Sequence, residues 1–246
     1  MKNILILSAV KAEIEHICQR FNSTCKKYRK LPECCQEIWQ FQHKSTCYTL
    51  ANVGIGVVNA AANSAVLMSQ KNFSEVWMVG CCGSYKENIK QGDVIVAQEE
   101  IHGDYGIKDS HGWQSPEKFS FSFLKIHDKK YWHRFLCKTQ ELFVPLPYKV
   151  YYGSMLTVST VSGSRKVAKV LEKRFGALGE NMEGSAVAQV ATSYGKPFME
   201  IRGVSNTAGD RNHKHWRMDI AFYNSQKAII DFIGICSKVF VPIATY

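Results

Sequence analysis

The feature that most constrains the fold is a repeated alternation between short apolar runs and segments with helical periodicity. Runs at Asn3 to Leu7, Val76 to Val79 and Phe198 to Val204 are short and largely apolar. Such runs are typical of central parallel strands, which are covered on both faces. Because helical segments separate them, we predict an α/β fold with one domain over residues 1–246. Three layers, α/β/α, are expected around a mixed, largely parallel central sheet.

Side-chain periodicity and turn residues delimit the other elements. Apolar residues recur at helical spacing after the first strand, so a helix is expected from Val10 onward. We expect a loop over the polar, Cys-rich segment 22–36 and irregular structure over the aromatic segment 102–128. The other predicted strands cover 38–41, 48–53, 94–97 and 149–159, and the other predicted helices cover 57–69, 131–143, 165–175, 220–240 and the run from Ser185 to Gly195.

The formal net charge of +10 invites a nucleic-acid interpretation, but the basic residues are scattered. No ribonucleoprotein motif, helix-turn-helix signature or zinc finger is visible, so no nucleic-acid partner is expected. No apolar stretch reaches the roughly 18 residues of a membrane span, so no membrane partner is expected either.

Cysteine and histidine spacing gives little support to a metal or redox site. The nine cysteines include no C-x-x-C pair, and His102, His111 and His127 lack the spacing of metal ligands. We therefore expect no metal and no cofactor. The apolar run at the N-terminus reads as a strand and not as a signal peptide, which predicts reduced thiols and a cytoplasmic location.

Three polar residues follow strands or turns that are distant in sequence. Glu13 comes just after the first strand, Glu183 lies in a turn before a helix, and Asn206 ends the strand that begins at Phe198. In open α/β sheets, ligands bind beyond the carboxyl ends of the strands, so these side chains are candidates for one pocket. A first-turn acid that favours the helix dipole is the alternative for Glu13.

A basic loop follows this last strand. It carries Arg211, Lys214 and Arg217 beside the expected pocket. A solvated loop and an anion-binding rim are both open, since arginine pairs well with carboxylates.

Motifs spread from Met1 to about residue 225 together resemble one known family. They are SAVKAEIE, NVGIG, VGCCGS, GDVIVA, NMEGSAVAQVA and RGVSN, which are similar to the purine nucleoside phosphorylase and nucleosidase superfamily. The similarity is greatest to its hydrolytic branch, which includes methylthioadenosine/S-adenosylhomocysteine nucleosidases and futalosine hydrolases. The resemblance implies a homodimer or larger homo-oligomer that binds a purine nucleoside.

The resemblance also implies roles by position. Glu13 matches the carboxylate that activates water, and Asn206 matches the residue facing the purine N7 and its exocyclic group. Met182 and Glu183 match the pair that binds ribose. The remaining expected substrate-binding residues are Gly83 and Val161, whose backbone lines the base pocket, Cys81, which replaces a serine, and Arg217 of a Trp-Arg pair.

Two differences from related branches of the family favour one nucleophile and one type of purine base. The acid Glu13 follows the first strand where the phosphorylases have a phosphate-binding pattern, and an acid favours water as the nucleophile. Asn206 stands where adenine-specific nucleosidases have Asp, and a carboxamide can donate to a 6-oxo group. The expected reaction is hydrolysis of futalosine to hypoxanthine, in menaquinone biosynthesis. An adenine-releasing nucleosidase and a catalytically silent nucleoside-binding relative are the alternatives.

Overall fold

The computed structural model describes residues 2–28, 31–118, 121–139 and 147–236, without the side chains of Cys34, Ile235 and Cys236. Its strands are β1 Lys2–Ser8, β2 Thr24–Lys27, β3 Glu37–His43, β4 Thr46–Asn52, β5 Glu75–Ser84, β6 Val94–His102, β7 Ile107–Asp109, β8 Gly112–Gln114, β9 Leu124–Ile126, β10 Lys129–Tyr131, β11 Arg134–Leu136, β12 Val150–Thr157, β13 Gly179–Asn181 and β14 Phe198–Thr207. Its α-helices are α1 Glu15–Arg20, α2 Val57–Gln70, α3 Arg165–Phe175, α4 Gly184–Ser193 and α5 Met218–Cys236.

The central sheet is mixed, as predicted, and parallel at its centre. β1 lies between β4 and β5 and is parallel to both, and β14 is parallel to β5. Towards one edge, β3 and β2 are added in antiparallel fashion. On the other side, the pairings of β5, β14, β6, β12 and β13 form a closed circuit. The carboxyl ends of the central parallel strands therefore meet at one end of the sheet.

Both faces of β1 are buried, which explains its continuous apolar run. Ile4 and Ile6 pack on one side in a core that includes Phe232 of α5. Leu5 and Leu7 pack on the opposite side in a core that includes Val187 of α4. With α1 and α5 on one face and α2 and α4 on the other, the predicted three-layer arrangement is confirmed.

The first and last residues of α3 match the prediction, and capping residues at its two ends explain them. The Ser164 side chain accepts a hydrogen bond from the Val167 N–H, as an N-cap residue does. Gly176 ends the helix with φ of 70°, a left-handed conformation that glycine adopts without strain.

The predicted helix over 131–143 is wrong for the residues that the structure describes. β11 instead pairs in antiparallel fashion with β6, and the Arg134 side chain forms a 2.7 Å ion pair with Glu99. Tyr131 and Phe135 are four residues apart, which imitates a helical face, but pairing with β6 decides the conformation. Residues 140–143 lie outside the described ranges.

The predicted loop over 22–36 is also partly wrong, because β2 pairs with β3 at the edge of the sheet. All four residues of β2 are exposed, so no apolar alternation signals this strand. The segment 102–128 similarly contains short strands, β7, β8 and β9. The last helix is α5, and residues 237–240 of its predicted span lie outside the described part of the chain.

None of the helices in the described ranges is long and apolar enough to cross a membrane. The described residues contain no group of three or more His, Cys, Asp or Glu side chains able to hold a metal ion.

Candidate active site

A cavity of about 330 Å³ opens where β1, β5 and β14 end. Its size is within the usual range of small-molecule sites. It contains seven of the eight site residues predicted from the sequence, all except Arg217. These seven are Glu13, Cys81, Gly83, Val161, Met182, Glu183 and Asn206.

Glu13 is held in the cavity by backbone N–H groups. Its Oε2 accepts from Ala9 at 2.9 Å and from Val10 at 3.2 Å, and its Oε1 accepts from Cys81 at 3.0 Å. These donors belong to the chain just after β1 and to the middle of β5, so the parallel pairing of the two strands creates the binding position for the carboxylate.

Arg202 of β14 is the buried cation of the cavity. Its side chain is 1% exposed, and its Nη1 lies 3.3 Å from Glu183 Oε2 while its Nε donates to Glu200 at 2.6 Å. Glu183 Oε1 also accepts from the Gly56 N–H at 3.0 Å. Through this hydrogen bond, the glycine turn after β4 helps to hold the Glu183 carboxylate in place.

These charges determine how readily Glu13 binds a proton. Burial raises the pKa of its carboxyl group, the Arg202 guanidinium opposes that rise, and the neighbouring Glu183 adds to it. The net effect is a pKa above the ordinary value of 4.5. A carboxylate with a raised pKa is a stronger base, which suits a group that accepts a proton from water.

Cys81 is not suited to act as a nucleophile. Burial and the nearby Glu13 raise the pKa of its thiol well above 9.0, and Arg202 only partly opposes them. The reactive form of cysteine is the thiolate, so Cys81 is present as a neutral thiol on the cavity wall.

Asn206 presents an amide at the end of β14. Its Nδ2 donates to the Thr207 carbonyl at 2.9 Å, and its Oδ1 accepts from the Ser205 hydroxyl at 2.8 Å. A Cβ added to Gly83 would lie 3.5 Å from Asn206 Nδ2, so Gly83 places backbone directly beside the amide. A carboxamide carries two N–H donors, so one remains for a ligand after the bond to Thr207.

A buried acid, Glu180, fixes the segment that carries Val161. Its carboxylate accepts from the Ser162 N–H at 3.0 Å, the Ser162 hydroxyl at 2.6 Å and the Tyr85 hydroxyl at 2.8 Å. These three bonds hold the backbone of the 161–162 segment against the cavity, where it can face a flat ring.

At the rim, the structure brings Arg211 to the cavity and leaves Arg217 and Lys214 outside it. The Arg211 guanidinium stacks over the Trp216 ring at 5.0 Å. Arg217 is exposed and pairs with Asp219 at 3.4 Å. Only its backbone approaches the site, because its N–H donates to the Ser205 carbonyl at 2.9 Å.

Sequence reasoning missed Arg202, Glu180 and Trp216 as lining residues. Arg202 had a signal, because Glu200 and Arg202 are two charged residues, two positions apart, within a run expected to be a buried strand. Alternate residues of a strand share a face, and a buried charge requires a partner. Glu180 and Trp216 carry no comparable local signal.

Taken together, the fold and the position of this cavity are typical of α/β enzymes, whose ligands bind beyond the carboxyl ends of the central strands. The chain belongs to the Phosphorylase superfamily, whose family model matches residues 3–239.

Named relatives refine this assignment. The chain is 32% identical to a futalosine hydrolase of Thermus thermophilus over 76% of its length and 81% of the relative. It is 28% identical to a futalosine hydrolase of Streptomyces coelicolor over 78% of its length and 79% of the relative. Among solved structures, the 5'-methylthioadenosine/S-adenosylhomocysteine nucleosidase of Neisseria meningitidis, in complex with methylthio-immucillin-A, has the same fold. Its TM-score is 0.76 at 20% identity, with 95% of this chain and 99% of that chain covered.

Proposed function

We propose that the protein hydrolyses the N-glycosidic bond of futalosine and releases hypoxanthine and dehypoxanthine futalosine. The observation that carries this proposal is that Glu13, Glu183 and Asn206 line one cavity of about 330 Å³. Similarity to two futalosine hydrolases supports the choice of substrate.

In the proposed reaction, the Glu13 carboxylate orients a water molecule at the anomeric carbon. As the bond between this carbon and the purine nitrogen breaks, its electron pair leaves with the base. The water oxygen bonds to the anomeric carbon, and a water proton passes to Glu13. The purine then takes a proton from solvent, because an amide such as Asn206 cannot supply one as a general acid. Positioning by Glu183 through the ribose hydroxyls lowers the entropic cost of this arrangement.

Water is favoured over phosphate as the nucleophile for an electrostatic reason. Arg202 is the buried cation among the described lining residues, and Glu200 and Glu183 already bind it. Glu13 adds a further acid at this end of the cavity. A phosphate anion would meet this acid without a buried cation left to pair with.

Asn206 provides the basis for choosing hypoxanthine over adenine. An amide N–H can donate to a 6-oxo group, whereas a 6-amino group would present another donor to it. An unpaired donor in a closed site costs about 1–3 kcal/mol, which is enough to separate the two bases.

Arg211 is the proposed partner of the substrate's distant carboxylate. Futalosine carries a benzoate at the end remote from the base, and Arg211 lies at the rim of the cavity, held by Trp216. Arginine binds carboxylates with two parallel hydrogen bonds, which a flexible lysine does not match.

An adenine-releasing nucleosidase is the second candidate, since the fold is also that of a methylthioadenosine/S-adenosylhomocysteine nucleosidase. Menaquinone biosynthesis, a cytoplasmic location and a homodimer or larger homo-oligomer are also part of the proposal. The exposed Ile55 and Val58 beside the cavity, 57% and 77% exposed, suit contact with a second copy of this chain. Light scattering at micromolar concentration would test the dimer.

The deciding experiment incubates the pure protein with futalosine, aminodeoxyfutalosine, methylthioadenosine and inosine, each with and without phosphate. The expected result is release of hypoxanthine from futalosine at a rate that phosphate does not change. Preferential release of adenine would select the second candidate. A phosphate requirement, or no turnover of any of the four, would overturn the proposed hydrolysis.

A further inference from the structure

Two buried acids below the cavity have no part in the reaction described above. Glu100 of β6 and Glu200 of β14 are both 0% exposed. A Cβ added to Gly184, the first residue of α4, would clash with an oxygen of each, so both carboxyl groups meet beneath this helix.

The contacts of Glu100 define one half of the arrangement. Its Oε2 accepts from the Thr157 hydroxyl at 2.7 Å, and its Oε1 accepts from Asn181 Nδ2 at 2.6 Å. Its Oε1 also lies close to Glu200 Oε2, because both oxygens lie within 2.5 Å of the position that a Gly184 Cβ would take.

Glu200 forms the other half. Its Oε1 accepts from Arg202 Nε at 2.6 Å. Its Oε2 is buried, and no group in the described part of the chain donates a hydrogen bond to it. Two ionised carboxylates offer only acceptors, so these neighbouring oxygens can be joined by a hydrogen bond only if one of the two acids carries a proton.

We propose that Glu100 and Glu200 share one proton, so that the pair carries a single negative charge, and that this charge positions Arg202 against Glu183 and Glu13. Glu100 and Glu200 are thus positioning residues, and Arg202 connects them to the cavity. The positioning of Arg202 matters for catalysis only if Glu13 and Glu183 have the roles proposed above. The shared proton does not depend on those roles.

Charge balance explains why one negative charge, and not two, is stable here. Burial and the neighbouring Glu200 raise the pKa of Glu100 well above 4.5, against the opposing effects of Thr157 and Arg202. Arg202 already faces Glu183 and Glu13 as well as Glu200. A second ionised acid at the pair would leave an uncompensated buried charge.

The groups that face the pair come from several elements. Thr157 of β12 and Asn181 of β13 contact Glu100, and Arg202 of β14 contacts Glu200. The thiols of Cys82 of β5 and Cys137 after β11 lie close enough for the two acids to act on their pKa values. Burial and the nearby acids raise the pKa values of both cysteine thiols, to about 12 for Cys82 and well above 9.0 for Cys137, so neither supplies a charge near neutral pH.

Unfolding as a function of pH tests the shared proton without any substrate. If the folded pair keeps a proton that the unfolded chain loses above about pH 4.5, wild-type stability falls as pH rises, relative to Glu100→Gln, which cannot lose it. Denaturant unfolding from about pH 5.5 upward should show the wild-type folding constant falling by about tenfold per pH unit relative to this variant, for as long as the folded pair keeps its proton.

Glu99→Gln is the matched control. Glu99 is adjacent in sequence but pairs with Arg134 at 2.7 Å away from the pair. Its stability curve should run parallel to the wild type over the same range. If the Glu100→Gln curve also runs parallel to the wild type, the folded pair holds no extra proton and the proposal is overturned.

The positioning role is tested by the pH profile of kcat/KM for futalosine. Glu100→Gln still leaves one charge, on Glu200, so the acidic limb should stay where it is in the wild type. The double variant Glu100→Gln/Glu200→Gln removes that charge, and Arg202 then acts more strongly on Glu13 and lowers its pKa. The acidic limb should move to lower pH by about half a unit or more.

A double variant that folds and keeps its limb in the wild-type position would show that the pair does not act on Glu13 through Arg202. If the double variant does not fold, the shift is measured with Glu200→Gln alone, where the charge moves from Glu200 to Glu100, one carboxyl further from Arg202. If the acidic limb of Glu200→Gln stays in the wild-type position, the pair likewise does not act on Glu13 through Arg202. If wild-type protein cleaves none of the four nucleosides, the proposed function fails, while the unfolding result still decides the shared proton.

Discussion

Arg202 and Glu183 form an ion pair at the floor of the cavity, with Nη1 and Oε2 3.3 Å apart and both side chains at most 5% exposed. The pair joins β14 to the N-terminus of α4. Because a buried charge without partners is costly, this contact is stable only with the further bonds from Gly56 to Glu183 and from Arg202 to Glu200. Arg202 also reduces the rise in the pKa of Glu13 that burial causes. It therefore links the proposed ribose-binding acid to the proposed base.

Glu13→Gln should lose at least about 100-fold in kcat, because the amide keeps an acceptor but cannot take a proton from water. Steady-state release of hypoxanthine from futalosine measures this. Glu15→Gln, an exposed acid two residues further on, is the matched control and should keep wild-type turnover. Near-wild-type activity of Glu13→Gln would assign the base to another residue.

The pH dependence of kcat/KM should reflect the raised pKa of Glu13. The proposed base works only as a carboxylate, so activity falls as pH decreases through its pKa. Burial moves that pKa upward from 4.5, so the acidic limb should lie above the range of an ordinary glutamate. A profile that stays flat down to about pH 4.5 would contradict this environment for Glu13.

The sequence predicted much of this site because the strand-end rule requires no knowledge of side-chain contacts. Glu13 and Asn206 follow β1 and end β14, and parallel strands bring their carboxyl ends together whatever the loops do. Arg202 was missed because its partners Glu183 and Glu13 become neighbours only after the sheet forms. The helix predicted at 131–143 failed for a related reason, since pairing of β11 with β6 is a long-range contact.

The loop after β14 shows where sequence reasoning ends. The sequence does not distinguish between the three basic residues of this loop, which are Arg211, Lys214 and Arg217. The sequence-based prediction places Arg217 in the cavity. Which of them reaches the cavity depends on the path of the loop, and that path is set by contacts such as Trp216 Nε1 donating to the Asp210 carbonyl at 2.9 Å. No periodicity encodes such a contact.

Asn206→Asp should shift the preference from 6-oxo to 6-amino purines. A carboxylate accepts a hydrogen bond from an amino group and repels an oxo group, so the ratio of kcat/KM for futalosine over aminodeoxyfutalosine should fall by about 100-fold. Asn206→Ala, which removes both donor and acceptor, should lower the two rates together. An unchanged ratio in the Asp variant would mean that Asn206 does not face the 6-position.

Arg211→Ala should raise the KM for futalosine by roughly 10- to 100-fold with little change in kcat, since a hydrogen bond between charged groups contributes about 1.5–3 kcal/mol. Inosine has no distant carboxylate, so its KM should not respond. Arg217→Ala is the control, because its side chain pairs with Asp219 outside the cavity. Equal effects of the Arg211 change on futalosine and inosine would indicate a structural role for Arg211.

Gly80→Ala should disrupt the site from beneath, because Gly80 of β5 is where Arg202 and Glu13 approach the backbone. An added Cβ would lie 2.6 Å from Arg202 Nη1 and 2.7 Å from Glu13 Oε1, closer than such atoms can pack. Neither side chain can move aside easily, since each is buried and held by several hydrogen bonds. We expect a loss of about 1–3 kcal/mol in the free energy of unfolding and a fall in kcat of more than about tenfold.

Gly163→Ala is the control, because a Cβ there would meet no atom within 4 Å. If Gly80→Ala retains both stability and turnover, the close approach of Arg202 and Glu13 is not required for catalysis.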